Sequence, residues 1–194
     1  MYANGLIYNW NYLGIFVALL RGINVSGHHN MKMVDLKALL NGIGLLEVKT
    51  YLQSGNVIFK SDLDQISDLE SIISKAINKE FGYDIKVKVI EKKVFQRIVL
   101  INPFLNNSEI DTKQLYYIHL MGQPDQNAYS DMKNDTRYPE KMKIIEETLY
   151  VHYLQGYGRS KLHGSIIEKK LKIDATARNH NTMKNLGEIL DTMN

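Results

Sequence analysis

Glycine, arginine and lysine residues recur in four short segments of this 194-residue chain, and their chemistry suits the binding of an anion. A glycine loop exposes backbone N–H groups, an arginine can form two parallel hydrogen bonds to a carboxylate or phosphate, and a lysine adds a point charge. The residues predicted to contact such a ligand are Arg21, Gly22, Asn24, His29, Ser54, Gly55, Asn56, Gly158, Arg159, Lys161, Arg178 and Asn179.

The first segment, residues 21–30, lies between a predicted buried strand and a predicted helix. Arg21 stands at the carboxyl end of that strand, where ligand sites of α/β sheets are commonly found. The segment is not a P-loop, because His28 and His29 occupy the positions at which a P-loop has Lys and Ser or Thr. An ordinary loop whose glycines relieve backbone strain is the alternative interpretation.

The second segment, residues 51–56, is predicted to be a hairpin turn. Gly55 and Asn56 both tolerate the positive φ angles that such turns require. Ser54 has no base in its local sequence, so a turn role or a hydrogen bond to a ligand is favoured over a nucleophilic role.

The third and fourth segments lie in the second half of the chain. In residues 156–162, Lys161 occupies the third glycine position of a GxGxxG pattern, which excludes a dinucleotide fingerprint but leaves an anion site open. In residues 176–182, Arg178 is predicted to stand at the positive end of the last helix. The alternative for Arg178 is a buried or paired structural arginine.

The sequence gives no clear signature of catalysis. Neighbouring His28 and His29 rarely face one side, and no HxH or HExxH pattern accompanies them, so no metal and no cofactor is predicted. No activated nucleophile and no paired carboxylates are visible, which leaves an enzymatic role undecided. If there is catalysis, it would use electrostatic stabilisation with His28 or His29 as proton carrier. The other singly placed histidines are interpreted as structural or surface residues: His119, His152 and His163.

The composition indicates a soluble globular protein. Hydrophobic residues make up 44% and charged residues 23%, and no cysteine is present, which fits a reducing cytoplasm. The longest apolar run, residues 15–20, is far shorter than the roughly 20 residues of a membrane span, so no membrane partner is predicted. The net charge is +3, but residues 159–184 carry +5 and the remainder −2, so the carboxy-terminal region could attract an anionic partner.

Periodicity predicts an α+β fold with two ferredoxin-like, or alpha-beta plait, lobes of antiparallel sheet. The first half reads βαββαβ, with a strand at 15–20, a helix at 33–43, a hairpin at 48–59, a helix at 66–81 and a strand at 85–89. The second half reads βαββα plus an extra helix, with a strand at 115–121, a helix at 125–133, a hairpin at 143–154, a short helix from a Ser165/Glu168 capping box and a last helix from about Asn179.

These elements divide the chain into three parts: an amino-terminal extension at 1–13, a first lobe at 14–100 and a second lobe at 101–194 that ends in a basic helical region. A helix around 94–99 connects the two lobes. Ligand sites favour interfaces between such units, so a groove between the lobes is the predicted site.

Five segments, taken in order, resemble the bacterial domain-of-unknown-function 1697 family. They are Ala18–Val25, Thr50–Val57, Asn102–Phe104, Gly158–Leu162 and Ala175–Asn179. The resemblance implies two alpha-beta plait lobes and no established activity. Two positions depart from the family pattern: Ser26 stands where a second glycine is usual, and His180 stands where tryptophan is usual.

Three functions remain open at this point. The first is binding of a small anionic, phosphate- or nucleotide-like ligand between the lobes. The second is binding of RNA or single-stranded DNA, and the third is a non-catalytic interaction or assembly module. An open cleft that gathers Arg21, Lys161 and Arg178 without carboxylate partners would favour the first, and arginines paired with Asp or Glu would favour the third. The sequence does not specify an oligomeric state.

Overall fold

Each half of the chain forms a four-stranded antiparallel sheet, as seen in a computed structural model that describes residues 13–25 and 27–193. The predicted extension at 1–13 lies outside these residues except for Leu13. The first half contains β1 (Gly14–Leu20), α1 (Met33–Gly42), β2 (Leu46–Tyr51), β3 (Asn56–Ser61), α2 (Ile66–Phe81), β4 (Val87–Glu91) and α3 (Lys92–Leu100). The second contains β5 (Leu115–Leu120), α4 (Gln126–Lys133), β6 (Lys141–Ile145), β7 (Thr148–His152), α5 (Gly164–Leu171), β8 (Ala175–Asn179) and α6 (His180–Asp191).

The two sheets have the same topology. Their strand orders are β2-β3-β1-β4 and β6-β7-β5-β8, which are the same order when each half is numbered from its own first strand. This confirms the prediction of two alpha-beta plait lobes. Each lobe reads βαββαβα, so the predicted final helix of the second lobe, α6, has a counterpart in α3 of the first.

Strand β8 was not predicted from the sequence. No element was assigned to residues Ala175–Asn179 before the last helix, whereas all five of them pair with β5. The error has a physical reason, because alanine and asparagine have low β-propensity and the strand is only five residues long. Arg178 therefore lies within a strand and not at the amino terminus of a helix.

The predicted capping box of α5 was also wrong. The helix begins at Gly164, and its N-cap residue His163 makes no side-chain cap hydrogen bond. The Glu168 carboxylate instead accepts hydrogen bonds from Arg21 of the first lobe and from the Ala175 backbone N–H, at 2.8 Å for the latter. Glu168 therefore takes part in a contact between the lobes, whereas the local sequence predicted that it caps α5.

The outer face of each sheet is covered by two helices. In the first lobe, Leu36 and Leu40 of α1 and Leu69, Ile73 and Ile77 of α2 are fully buried on that sheet. In the second lobe, α4 and α5 cover the other sheet in the same way. None of the helices in the described residues is long and apolar enough to cross a membrane.

The inner faces of the two sheets turn toward each other and share one core. Val17, Leu19 and Ile58 of the first sheet belong to the same buried cluster as Tyr117 and Tyr150 of the second. Helices α3 and α6 contact each other and complete this cluster from the sides. Desolvation raises the pKa of Tyr117 to about 12, as expected for a phenol held in an apolar core. The lobes are therefore joined by a continuous hydrophobic interface.

The β2–β3 turn approaches β1 so closely that it requires glycine. Gly55 has φ +73°, and a Cβ atom there would lie 2.7 Å from Leu20 Cβ and 2.9 Å from side-chain carbons of Ile23. Gly22 has a similar φ of +69° but no atom within 4 Å of the corresponding position. The two glycines thus share a backbone conformation and differ in crowding.

We expect Gly55→Ala to destabilise the protein by roughly 3 kcal/mol or more, because left-handed strain of about 1–2 kcal/mol adds to overlap with two buried side chains. Gly22→Ala should show only the strain. Urea unfolding of both variants measures the difference. Equal losses in the two variants would contradict the close approach.

Candidate functional site

Arg178 is a buried cation that connects the two lobes. Its side chain has no carboxylate partner among the described residues, yet each guanidinium N–H group has an acceptor. Nε donates to Asn56 Oδ1. Nη1 donates to Thr176 Oγ1 and Ala177 O, both at 2.8 Å. Nη2 lies within hydrogen-bond distance of Leu20 O at 3.0 Å, Ser54 O at 2.9 Å and Gly55 O at 3.2 Å. Burial lowers the pKa of Arg178 to about 10, which still leaves it charged at neutral pH. Its donors are therefore taken up by backbone carbonyls and by the side chains of Asn56 and Thr176.

Arg21 forms an ion pair between the lobes. Its Nε and Nη2 donate to the two carboxylate oxygens of Glu168 at 2.6 and 2.8 Å, and Asp174 lies 3.9 Å from Nη2. The hydrogen bond and charge of Glu168 raise the pKa of Arg21. The side chain is 39% exposed, so solvent still reaches it. A ligand carboxylate or phosphate at Arg21 would have to compete with Glu168.

The predicted asparagine and serine ligands hold loops in place. Asn24 joins the β1–α1 loop to the β2–β3 turn, since its Nδ2 donates to Met31 O and Gln53 O at 2.9 and 2.8 Å. Asn56 is fully buried and donates to Tyr51 O at 2.8 Å and to Ser54 Oγ at 3.0 Å.

Of two further predicted residues, Asn179 caps a helix and His29 lies on the surface. Asn179 caps α6, because its Oδ1 accepts from the Thr182 N–H at 2.8 Å. His29 is exposed beside the Tyr83 ring, with its Nδ1 3.1 Å from Gly22 O.

The third predicted segment does not join the others. Gly158 and Arg159 lie in a single 3₁₀ turn after β7, and they and Lys161 are exposed. This turn follows His152, which pairs with the first residue of β5. Ala175, whose N–H donates to Glu168, pairs with the last residue of β5. The structure therefore brings together one set of predicted residues and leaves this segment at the opposite end of the second sheet. The gathered set is Arg21, Gly22, Asn24, Ser54, Gly55, Asn56 and Arg178.

A pocket of about 420 Å³ opens between the lobes, where β4 and α3 meet the β6–β7 turn. Its wall is largely apolar and includes Val89, Ile90, Val94 and Ile98 from the first lobe. Such a volume lies within the range of small-molecule sites. None of its lining residues was predicted as a ligand contact.

His119 of β5 supplies the most unusual polar group of this pocket. It is 1% exposed, and its Nε2 is buried without a hydrogen-bond partner. Burial, with smaller contributions from nearby Arg178 and Lys88, lowers the pKa of His119 to about 3. The imidazole is consequently neutral at physiological pH, and a buried ring nitrogen without a hydrogen-bond partner is costly.

Ion pairs between the lobes lie at the mouth of the pocket. Lys88 Nζ of β4 donates to Glu147 Oε2 of the β6–β7 turn at 2.6 Å, and Gln123 lies 3.4 Å from the other oxygen. Glu146 pairs in the same way with Arg97 of α3 at 2.5 Å. These contacts leave the mouth polar while the floor is apolar.

The sequence carried one weak signal for this site. His119 stands between Ile118 and Leu120 in an apolar strand, and a polar residue at a core position is informative. Its cross-strand neighbours are Thr148 of β7 and Thr176 of β8, and the second of these pairings involves the strand that was not predicted.

The described residues include no group of three or more His, Asp or Glu side chains placed to hold a metal ion. The predicted proton carrier His28 lies exposed in the β1–α1 loop.

We expect Arg178→Lys to reduce the free energy of unfolding by about 3 kcal/mol or more. One ammonium cannot satisfy the several buried acceptors that the guanidinium serves, and each buried acceptor left unpaired costs about 1–3 kcal/mol. Urea unfolding measures the loss, with Arg159→Lys in the exposed 3₁₀ turn as the matched control. We call the hydrogen bonds of Arg178 between the two lobes the Arg178 clasp. A loss below about 1 kcal/mol in Arg178→Lys would show that this clasp is not stabilising.

The buried His119 should make the protein acid-sensitive. Its folded pKa lies below the unfolded value of 6.5, so the unfolded chain binds the proton first as the pH falls. Stability from this group is complete above pH 6.5 and decreases progressively between pH 6.5 and about 3. His119→Gln should therefore show a shallower decrease of the urea midpoint over this range, whereas exposed His28→Gln should keep the wild-type slope. An NMR titration of the His119 ring near pH 6.5 would contradict this expectation.

Comparisons with known proteins agree with this architecture. No curated protein matches the chain in sequence. Among solved structures, the conserved bacterial protein SP0830 from Streptococcus pneumoniae superposes with a TM-score of 0.74 at 18% identity, covering 92% of this chain and 99% of that one. The model of the family described as "Protein of unknown function (DUF1697)" matches residues 14–150, which ends before the last two resembling segments. Since that match spans more than half of the chain, the protein belongs to the DUF1697 family.

Proposed function

We propose that the protein binds a small molecule in the pocket between its two lobes, with the ligand held against His119. The observation that carries the proposal is a pocket of about 420 Å³ whose lining includes His119, a residue with a buried Nε2 that has no hydrogen-bond partner. A ligand group that hydrogen-bonds the imidazole would remove this cost, and the apolar wall would shield the contact from water.

The pocket supports this role better than the predicted loop cluster does. An anion at the loop cluster would depend on Arg21 and Arg178, and the first is paired with Glu168 while the second is saturated by backbone carbonyls. Lys161 lies away from both. The groove between the lobes thus remains the proposed location, while the phosphate-like ligand expected from the sequence has less support.

The other two functions account for fewer observations. Plait proteins stack bases on an open sheet face, but Tyr117 and Tyr150 are fully buried between the sheets. An assembly module agrees with the Arg21–Glu168 pair, which joins the lobes as that hypothesis requires. It gives no reason for a pocket lined by an unpartnered histidine.

A substitution that fills the pocket without disturbing the core can test the proposal. Val94 lines the pocket on α3 and is 42% exposed, so Val94→Trp should occupy the space while the fold is retained. Val34 on α1 is 69% exposed and lies outside the lining, which makes Val34→Trp the matched control.

We expect an NMR screen of small neutral, cationic and anionic fragments to give saturable shifts at His119 and Thr148. Val94→Trp should abolish these shifts, and Val34→Trp should keep them. The proposal fails if no fragment shifts the pocket residues, or if the shifts survive Val94→Trp.

A further inference from the structure

The charges around the pocket cancel except for one carboxylate. Four charged side chains line it: Lys88, Glu91, Glu146 and Glu147. Lys88 is paired with Glu147, and Glu146 is paired with Arg97 of α3. Glu91, the last residue of β4, makes no side-chain hydrogen bond or ion pair with the described residues. The site therefore carries one uncompensated negative charge.

The polar groups that a ligand would meet are mainly acceptors. A carboxylate accepts only, and a neutral imidazole offers one acceptor nitrogen. Glu91 thus suits a ligand that donates N–H groups, and His119 can accept from the same ligand in the tautomer that leaves Nε2 unprotonated. The apolar side chains Ile90, Val94 and Ile98 line the same pocket and offer a surface for a flat hydrocarbon body.

We propose that the pocket is selective for a small organic cation, an apolar body with an amine or amidine head, and that Glu91 is its counter-ion. This inference rests on the proposed function and names its ligand class. Glu91 is exposed at the rim of the pocket, where charge complementarity favours the cation and the same carboxylate repels an anion of equal shape. The single buried imidazole distinguishes the pocket from a plain acidic surface.

The test uses three probes of the same shape and different charge: benzamidinium, benzamide and benzoate. NMR titration at pH 7.5 and low salt should give dissociation constants that rise in that order, with benzamidinium at least threefold tighter than benzamide. Benzoate should bind at least tenfold more weakly than benzamidinium. Benzoate binding as tightly as benzamidinium would overturn the inference.

Two variants show whether Glu91 sets this selectivity. Glu91→Gln should bring the benzamidinium and benzamide constants together without lowering the affinity for benzamide, and Glu109→Gln, at an exposed carboxylate outside the lining, should keep the wild-type ratio. An unchanged ratio in Glu91→Gln would overturn the assignment. If none of the three probes binds, but other fragments bind and lose their binding in Val94→Trp, this inference is overturned and the proposed function stands. No fragment in the pocket at all would overturn both.

Discussion

The rest of the structure depends on the burial of Arg178 between the lobes. A cation without a carboxylate partner must find its hydrogen bonds among dipoles, and here three carbonyl oxygens of the first lobe and groups of both lobes provide them. Those carbonyls belong to the end of β1 and the β2–β3 turn, so the guanidinium fixes the two sheets in one relative position. Burial is the main cause of the lowered pKa of His119, and the charge of Arg178 adds a smaller contribution in the same direction.

The two lobes repeat one topology but differ in what they place on their inner faces. The first sheet turns mostly apolar side chains inward, such as Val17, Leu19 and Ile58. The second adds polar ones along the corresponding face, including His119 and Arg178 on neighbouring strands. Of these polar side chains, Arg178 contacts backbone carbonyls of the first lobe, whereas His119 lines a pocket whose wall is largely apolar. The unpartnered nitrogen arises from this asymmetry.

Local patterns predicted most of the fold and little of the site. The stripe of α2 and its closing Gly82, which has φ +73°, followed from helical spacing and a C-cap glycine. Strand β8 did not, because its pairing with β5 overrides a weak local propensity. Arg21 and Arg178 look alike in the sequence, but one meets a carboxylate and the other a set of carbonyls, and only the packing of the lobes decides which. The same packing encloses His119, so the polar residue in an apolar strand marked an unusual position but did not indicate the pocket beside it.

Entry of a ligand does not require the lobes to separate. Opening the interface would break the Arg178 clasp and expose the shared core, which would cost far more than a small ligand returns. The ion pairs at the mouth are the weaker barrier. The Arg97–Glu146 pair is solvated, with side chains 59% and 52% exposed, and such pairs are typically worth about 0–1 kcal/mol, whereas Lys88 of the other pair is only 17% exposed. Side-chain motion at the mouth is therefore sufficient for access, while the clasp keeps the floor of the pocket and its imidazole in place.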